Sequence, residues 1–297
     1  MPTVSELLRV GRRALAAHGL EAPHVDVEFL LARLLGVTVS DLRLRGHAPV
    51  PDPVVARFDD LVADRARGRP LAYILGEWEF YGLKLSVDSS VLVPRPETEL
   101  LVDWVRALFQ PDVPVRIADV GTGSGCIAVA LAHHLPRAEV HATDVSDDAL
   151  TVARANAARH DLTHRIEFHR GDLLSPLKGR FDCIVSNPPY VAPNDPRLDA
   201  NVRDFEPALA LYDHHDGDGL GFYRRFAREF EPYLADGGFL LLEVGEQDAQ
   251  SVIEFFVAHG CHGRSRRDLA GIERAVLVER RRHHESSPGR SLGVAQE

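Results

Sequence analysis

The chain has 297 residues, 45% hydrophobic and 26% charged, which is the profile of a globular protein long enough for one sizeable core and a smaller second domain. A formal net charge of −10 and a pI near 5.8 argue against a protein that holds nucleic acid mainly by neutralising phosphates, and leave room only for a local basic patch. Glu6, Arg9, Arg12 and Arg13 interrupt the N-terminus, so no signal-peptide core forms there, and no later run approaches membrane-spanning length; a cytoplasmic protein is expected.

The first 75 residues read as helices only. Val4, Leu7, Leu8, Ala14 and Leu15 share one helical face; Val27, Leu30, Leu31, Leu34 and Leu35 share another, which stops at Gly36. Asp52 is the expected N-cap of a third helix with Pro53 at its first position, Val54, Val55, Phe58, Leu61 and Val62 along its face, and Gly68 at its end. Residues 1–78 are therefore expected to form a separate helical N-terminal domain. Leu83, Leu85 and Val87 then alternate with polar residues, and Val91-Leu92-Val93 follows a Ser-Ser turn, which predicts a linking β-hairpin over 79–95.

Beyond the hairpin, strand-type and helix-type segments alternate: Val115 to Val120, Ile127 to Leu135, Val140 to Thr143, Ala149 to His160, Ile166 to His169 and Phe181 to Ser186. Such alternation implies parallel strands joined by crossover helices, an α/β doubly wound domain expected over 96–280. A helix from Gly221 to Leu234, a buried strand from Gly238 to Val244, and strands near Cys261 to Arg266 and Ala275 to Val278 complete the pattern. Residues 281–297 lack periodicity and read as a disordered, solubilising tail.

Cys126, Cys183 and Cys261 are odd in number, far apart and without ligand spacing, which is the pattern of free thiols in a reducing compartment. The adjacent pairs His133-His134, His214-His215 and His283-His284 do not make ligands, because neighbouring side chains on a helix diverge. No metal site is expected.

Gly121-Thr122-Gly123-Ser124-Gly125 follows a strand and opens a helix, the place where a doubly wound fold binds its ligand against bare backbone. No Gly-Lys-Ser/Thr follows, and Cys126 stands where a dinucleotide fingerprint needs its third glycine, so the loop suits a nucleoside better than a pyrophosphate. Asp144 ends the second strand, where a carboxylate accepts from ribose hydroxyls; an ordinary capping Asp is the other reading. Asp172 ends the third, as an acceptor for an exocyclic amine or as a turn residue.

Asn187-Pro188-Pro189-Tyr190 leaves the fourth strand as a stiff, extended exit, because two prolines fix φ twice and remove two donors. An amide that both donates and accepts, held beside a flat ring, suits a grip on a planar nitrogen; a strand-ending turn with Tyr190 in the core is the plainer alternative. Pro94 to Glu99 reads as a proline-fixed turn into a helix N-terminus, with the added prospect of lining the site's mouth. Glu77, Phe80 and Tyr81 read as packing residues at a domain junction.

The joint spacing of glycine loop, strand-end acid and Asn-Pro-Pro-Tyr resembles the S-adenosylmethionine-dependent methyltransferases that modify planar amide or amine nitrogens. Pro94-Arg95-Pro96-Glu97-Thr98-Glu99, Phe205-Glu206-Pro207 and the helical N-terminal domain narrow the resemblance, over about residues 5–280, to the protein-(glutamine-N5) methyltransferases of peptide chain release factors, the PrmC or HemK family. The resemblance implies a class I fold, Rossmann-like with a seven-stranded, mostly parallel sheet, with S-adenosylmethionine as cofactor and class I release factors as protein substrate, and neither stable nucleic acid nor membrane as partner.

It further implies that Gly121, Thr122, Gly123, Ser124 and Gly125 pass along the methionine part of the cofactor, that Asp144 binds the ribose, and that Asp172 with Leu173 flanks the adenine. Asn187 would sit between cofactor and substrate, contacting both; its side chain and the Pro188 carbonyl would hold the target amide, Tyr190 would pack against the amide plane, and Pro189 would join them in binding the substrate. Many relatives carry an aromatic residue where this chain has Leu173. The remaining alternatives are a ribosomal-protein glutamine as substrate, an adenine-N6 nucleic-acid methyltransferase, which the acidic balance opposes, and an inactive cofactor-binding protein.

Overall fold

The computed structural model describes residues 1–281. In chain order its helices and strands begin with α1 (Val4–Ala17), α2 (Pro23–Leu35), α3 (Val39–Leu44), α4 (Asp52–Ala66) and α5 (Leu71–Leu75), then β1 (Glu77–Phe80) and β2 (Leu83–Ser86). There follow α6 (Glu99–Leu108), β3 (Val115–Val120), α7 (Cys126–His134), β4 (Ala138–Asp144), α8 (Asp147–Arg159), β5 (Ile166–Arg170) and β6 (Phe181–Ser186). The rest are α9 (Ala200–Phe205), α10 (Ala208–Leu211), α11 (Gly221–Glu229), β7 (Leu234–Glu243), α12 (Ala249–Ala258), β8 (Cys261–Arg267) and β9 (Glu273–Arg280).

The chain divides into two units. One comprises Met1–Trp78 with Val87–Ser89 and Asp199–Glu206, and so takes in segments that the sequence boundaries put in the hairpin and in the catalytic domain. Its α1 starts at a capping box: the Thr3 hydroxyl accepts from Glu6 N at 3.3 Å, and the Glu6 carboxylate accepts from Thr3 N at 2.7 Å. The helix α4 begins one residue earlier than expected, with Pro51 as N-cap and Asp52 already helical. Leu15, Leu30, Leu31, Leu42 and Phe58 form the buried centre. α9 packs in this unit against Gly68, where a Cβ would lie 2.1 Å from Asn201 Oδ1 on a backbone at φ +96°, so a larger residue there would be strained and would displace the Asn201 side chain.

The second unit comprises Glu79–Ser86, Ser90–Leu198 and the described residues from Pro207 onward, 207–281. Its seven-stranded sheet runs β5-β4-β3-β6-β7-β9-β8, with β9 antiparallel to both neighbours and the other pairs parallel. Alternate residues of the strands β3, β6, β7 and β9 enter two cores: Ile117, Cys183, Leu241 and Leu277 lie in one, Ala118, Ile184, Leu240 and Val276 in the other. Burial of both faces is why these strands read as nearly continuous apolar runs.

Two expected elements shift. The hairpin joins β1 to β2 through Tyr81 and Gly82, both at positive φ (53° and 74°), a turn whose twist suits a two-residue connection; Val91–Val93 is not its second arm. The helix expected to reach Leu234 ends at Glu229, a 3₁₀ turn spans Glu231–Tyr233, and Leu234 already opens β7, because Pro232 cannot continue an α-helix.

Candidate active site

At the carboxyl ends of β3, β4 and β6 lies a cavity of about 340 Å³. It brings together Gly121–Ser124 after β3, Asp144 at the end of β4, Asp172 and Leu173 after β5, and Asn187, Pro188 and Pro189 after β6. The order reversal between β3's two neighbours, β4 and β6, opens the crevice there, as it does in doubly wound sheets generally.

The glycine loop turns at Gly121, Gly123 and Gly125, with φ of 70°, 54° and 79°. Gly123 N donates to Asp144 Oδ2 at 2.9 Å, and Ser146 N donates to Oδ1 at 2.9 Å, so the acid ending β4 also shapes the loop after β3. Burial raises the Asp144 carboxyl above its ordinary pKa, against the pull of those backbone donors.

Beneath the loop sits Asp119, fully buried inside β3. Its Oδ2 accepts from the Thr122 hydroxyl at 2.6 Å and from Ala128 N at 3.1 Å, while Oδ1 has no partner among the described residues. Burial pushes its carboxyl up to about 7, with the nearby Asp144 charge adding to the rise.

Asp172 stands two residues beyond the end of β5 rather than at it. Its carboxylate is gripped by Arg225, Nη1 to Oδ1 at 3.1 Å and Nη2 to Oδ2 at 2.8 Å, a bidentate pair that the sequence did not indicate. Its turn is made by the backbone instead, with Ser175 N donating to Asp172 O at 3.1 Å. Leu173, at a positive φ of 48°, is buried, and its carbonyl accepts from the Thr143 hydroxyl at 3.0 Å.

The exit from β6 is pinned by Ser186, whose hydroxyl donates to Val120 O at 2.7 Å. Asn187 Nδ2 donates to Thr98 Oγ1 at 3.1 Å, and the Thr98 hydroxyl donates to Glu243 Oε2 at 2.6 Å. Glu243 is 2% exposed at the end of β7, and burial pushes its carboxyl up to about 7, although Thr98 and the Arg274 charge favour the ion. The acid behind Asn187 has one sequence signal, a lone Glu closing the apolar run Phe239-Leu240-Leu241-Leu242. Thr98 comes from the 3₁₀ turn Pro96–Thr98, so the Pro94 to Glu99 segment does reach the site, with Pro94, Arg95 and Thr98 in the cavity wall.

Tyr190 is placed differently from the expectation. It does not line the cavity; its ring packs on the core containing Ile184 and Leu242, and its hydroxyl comes within 3.5 Å of Glu243 Oε1. A largely buried phenol needs a polar partner, and the carboxylate behind the site supplies one. The plainer sequence reading, a Tyr in the core, describes its ring.

The chain's similarities to known proteins agree with this architecture. Residues 96–211 match the methyltransferase small domain, and residues 6–76 match the PrmC N-terminal domain. Among solved structures, a methyltransferase from Pyrococcus furiosus aligns with a TM-score of 0.51 at 19% identity, over 67% of this chain and 89% of that one. The hMettl16 catalytic domain, solved with an MAT2A 3′UTR hairpin, aligns at 0.55 and 21%, over 77% and 84%. At such identities the likeness establishes the fold.

The release factor glutamine methyltransferase of Moorella thermoacetica is 40% identical over 94% of this chain and 99% of its own length. That of Neisseria gonorrhoeae is 41% identical over 88% and 95%. Likeness of this degree, running from the N-terminal helices to the last strands, means that the chain belongs to the release factor glutamine methyltransferases.

Proposed function

We propose that the protein transfers the methyl group of S-adenosylmethionine to N5 of the glutamine in the Gly-Gly-Gln tripeptide of class I peptide chain release factors, supporting translation termination. Methylation of a release factor glutamine is the family's activity. The single observation that carries the assignment of roles is the bond from Asn187 to Thr98. Because Thr98 spends its proton on Glu243, it can only accept from Asn187, and this turns the amide so that Oδ1 is left as a free acceptor.

The residues present fit the cofactor. A Cβ at Gly121 or Gly123 would meet nothing within 4 Å, so the loop offers bare backbone to the cavity, and the half-buried Asp144 carboxylate stands beside it. In the proposed arrangement Gly121 to Ser124 run along the methionine part while Gly125, outside the cavity wall, closes the turn against Ala153; Asp144 accepts from the ribose hydroxyls, and Leu173 and Asp172 flank the adenine. When bound, S-adenosylmethionine supplies an electrophilic methyl group.

The target nitrogen is a poor nucleophile, because amide resonance, worth roughly 18–20 kcal/mol in the rotation barrier, ties up its lone pair. Asn187 Oδ1 and the Pro188 carbonyl accept its two hydrogens, fix its direction and favour the positive charge it develops. Pro188 and Pro189 keep that pair of acceptors rigid. Tyr190 acts from behind, by holding Glu243. The reaction belongs in the cytoplasm, with no stable nucleic acid or membrane partner; among the described residues no helix is long and apolar enough to cross a membrane.

The test is label transfer from methyl-labelled S-adenosylmethionine to three acceptors: a release factor, its Gly-Gly-Gln glutamine-to-alanine version, and duplex DNA. Label in the intact release factor alone is expected. Label in the alanine version would move the target elsewhere, and label in DNA would overturn the substrate class.

A further inference from the structure

On the sheet face opposite the core of Ile117 and Val140, two neighbouring strands at the sheet's edge bring three ligand-type side chains together. His141 of β4 pairs with Glu167 of β5, and His169 follows two residues on along the same face. His141 Nδ1 lies 3.1 Å from His169 Nε2 and 3.6 Å from Glu167 Oε2, and His169 Nε2 lies 3.7 Å from Glu167 Oε1. In a tetrahedral site with bonds of about 2.0–2.1 Å, ligand atoms stand about 3.3–3.4 Å apart, and the two imidazole nitrogens and the Glu167 carboxylate, which turns Oε2 to one histidine and Oε1 to the other, stand near that spacing.

We propose that His141, Glu167 and His169 bind a transition-metal dication of the zinc class, with the fourth coordination position open to solvent. Two imidazoles and a carboxylate form the donor set that borderline dications prefer, whereas calcium and magnesium take all-oxygen sets. The surroundings support it independently. Glu139 Oε1 lies 2.7 Å from His141 Nε2, so that nitrogen holds the proton and Nδ1 turns a lone pair toward the cluster, the carboxylate–histidine arrangement that orients metal ligands.

Arg116 Nη2 also approaches Nε2, at 3.0 Å. The charged oxygen is nearer and outcompetes it, and Arg116 has other acceptors in Arg180 O at 2.9 Å and Glu139 at 3.5 Å. His141 is 6% exposed and packs edge-on against Phe181, which holds the ring, while the Glu167 side chain is 66% exposed, which leaves an entry path. These histidines come from separate strands, 28 residues apart.

The experiment uses the full chain with Zn²⁺ in isothermal titration and Co²⁺ in absorption spectroscopy. One equivalent bound, with visible Co²⁺ bands of four-coordinate intensity, is expected. Glu167→Gln, a nearly isosteric change at an exposed side chain, and His169→Gln should each weaken Zn²⁺ at least ~100-fold, and Glu139→Gln by about 10–100-fold through loss of the orienting carboxylate. A His283→Gln/His284→Gln variant should bind as the wild type does. Absence of stoichiometric binding, or binding unchanged in Glu167→Gln and His169→Gln, would overturn the site.

Discussion

Asn187 and Thr98, 89 residues apart in sequence, are joined by a 3.1 Å hydrogen bond from Nδ2 to Oγ1 that turns the amide and leaves Oδ1 as its acceptor. Behind Thr98 stands Glu243, so the orientation of the Asn187 amide is set by an acid that does not line the cavity.

The first prediction concerns that bond. Thr98→Val keeps the shape but removes the hydroxyl, so the Asn187 amide is free to rotate; kcat should fall ~10–100-fold, the scale of a small misplacement, with cofactor affinity unchanged. Asn187→Ala should abolish transfer and spare cofactor binding. Single-turnover rates with labelled methyl donor, set beside cofactor titrations, give the answer; wild-type turnover by Asn187→Ala would sink the assignment.

The second concerns pH. With Glu243 ionised, Thr98 must donate to it; once protonated, the carboxyl can donate to Thr98, whose proton then turns toward Asn187 and reverses the amide. The Glu243 carboxyl is pushed up to about 7, so kcat should decline as pH drops through about 7. Glu243→Gln retains an acceptor for Thr98 and should lose this limb. Asp119 titrates near the same pH beneath the glycine loop, and its limb should appear in cofactor affinity and survive in Glu243→Gln.

The third follows from linkage. Burial raises Glu243 above 4.5, so the folded state prefers the proton: its contribution to stability is fully present below about pH 4.5 and is lost as pH rises to about 7. Glu243→Gln does not titrate, so its stability relative to wild type should improve across that window, by on the order of a few kcal/mol, and stay level above it. Urea midpoints at pH 4.5, 6 and 8 measure this. A difference that does not vary with pH contradicts the buried charge.

The fourth separates two glycines of one loop. At Gly125 a Cβ would meet Ala153 Cβ at 3.1 Å and its Cα at 3.2 Å, in a residue with φ of 79°, so Gly125→Ala should cost ~1–3 kcal/mol and lower the melting temperature. Gly121 has φ of 70° but nothing within 4 Å, so Gly121→Ala should cost only ~1–2 kcal/mol of backbone strain while its methyl enters the cavity. Melting curves paired with cofactor titration should show fold damage from the first and weakened cofactor binding from the second. Equal loss of cofactor affinity in both, scaled to stability, would mean the loop backbone does not face the cofactor.

Some features were legible because they are local. Alternating apolar segments mark the parallel strands, glycines at positive φ mark the loop, and two prolines mark a chain that must leave β6 stiffly; each is a property of a few neighbouring residues. Asp144 and Asn187 could be placed at strand ends for the same reason, since a doubly wound fold puts those ends on one rim.

What remained hidden depends on partners distant in sequence. Sequence sees Tyr190 beside Asn187 but not that Glu243 waits behind it, so the ring turns inward where a substrate contact was expected. It sees Asp172 as a strand-end acid but not Arg225, 53 residues on, which engages both of its oxygens. Local chemistry and periodicity determined the layers, the loop and the identity of the grip. Tertiary packing decided which way each polar group faces, because a buried donor or acceptor turns to the partner that the fold, not the adjacent sequence, provides.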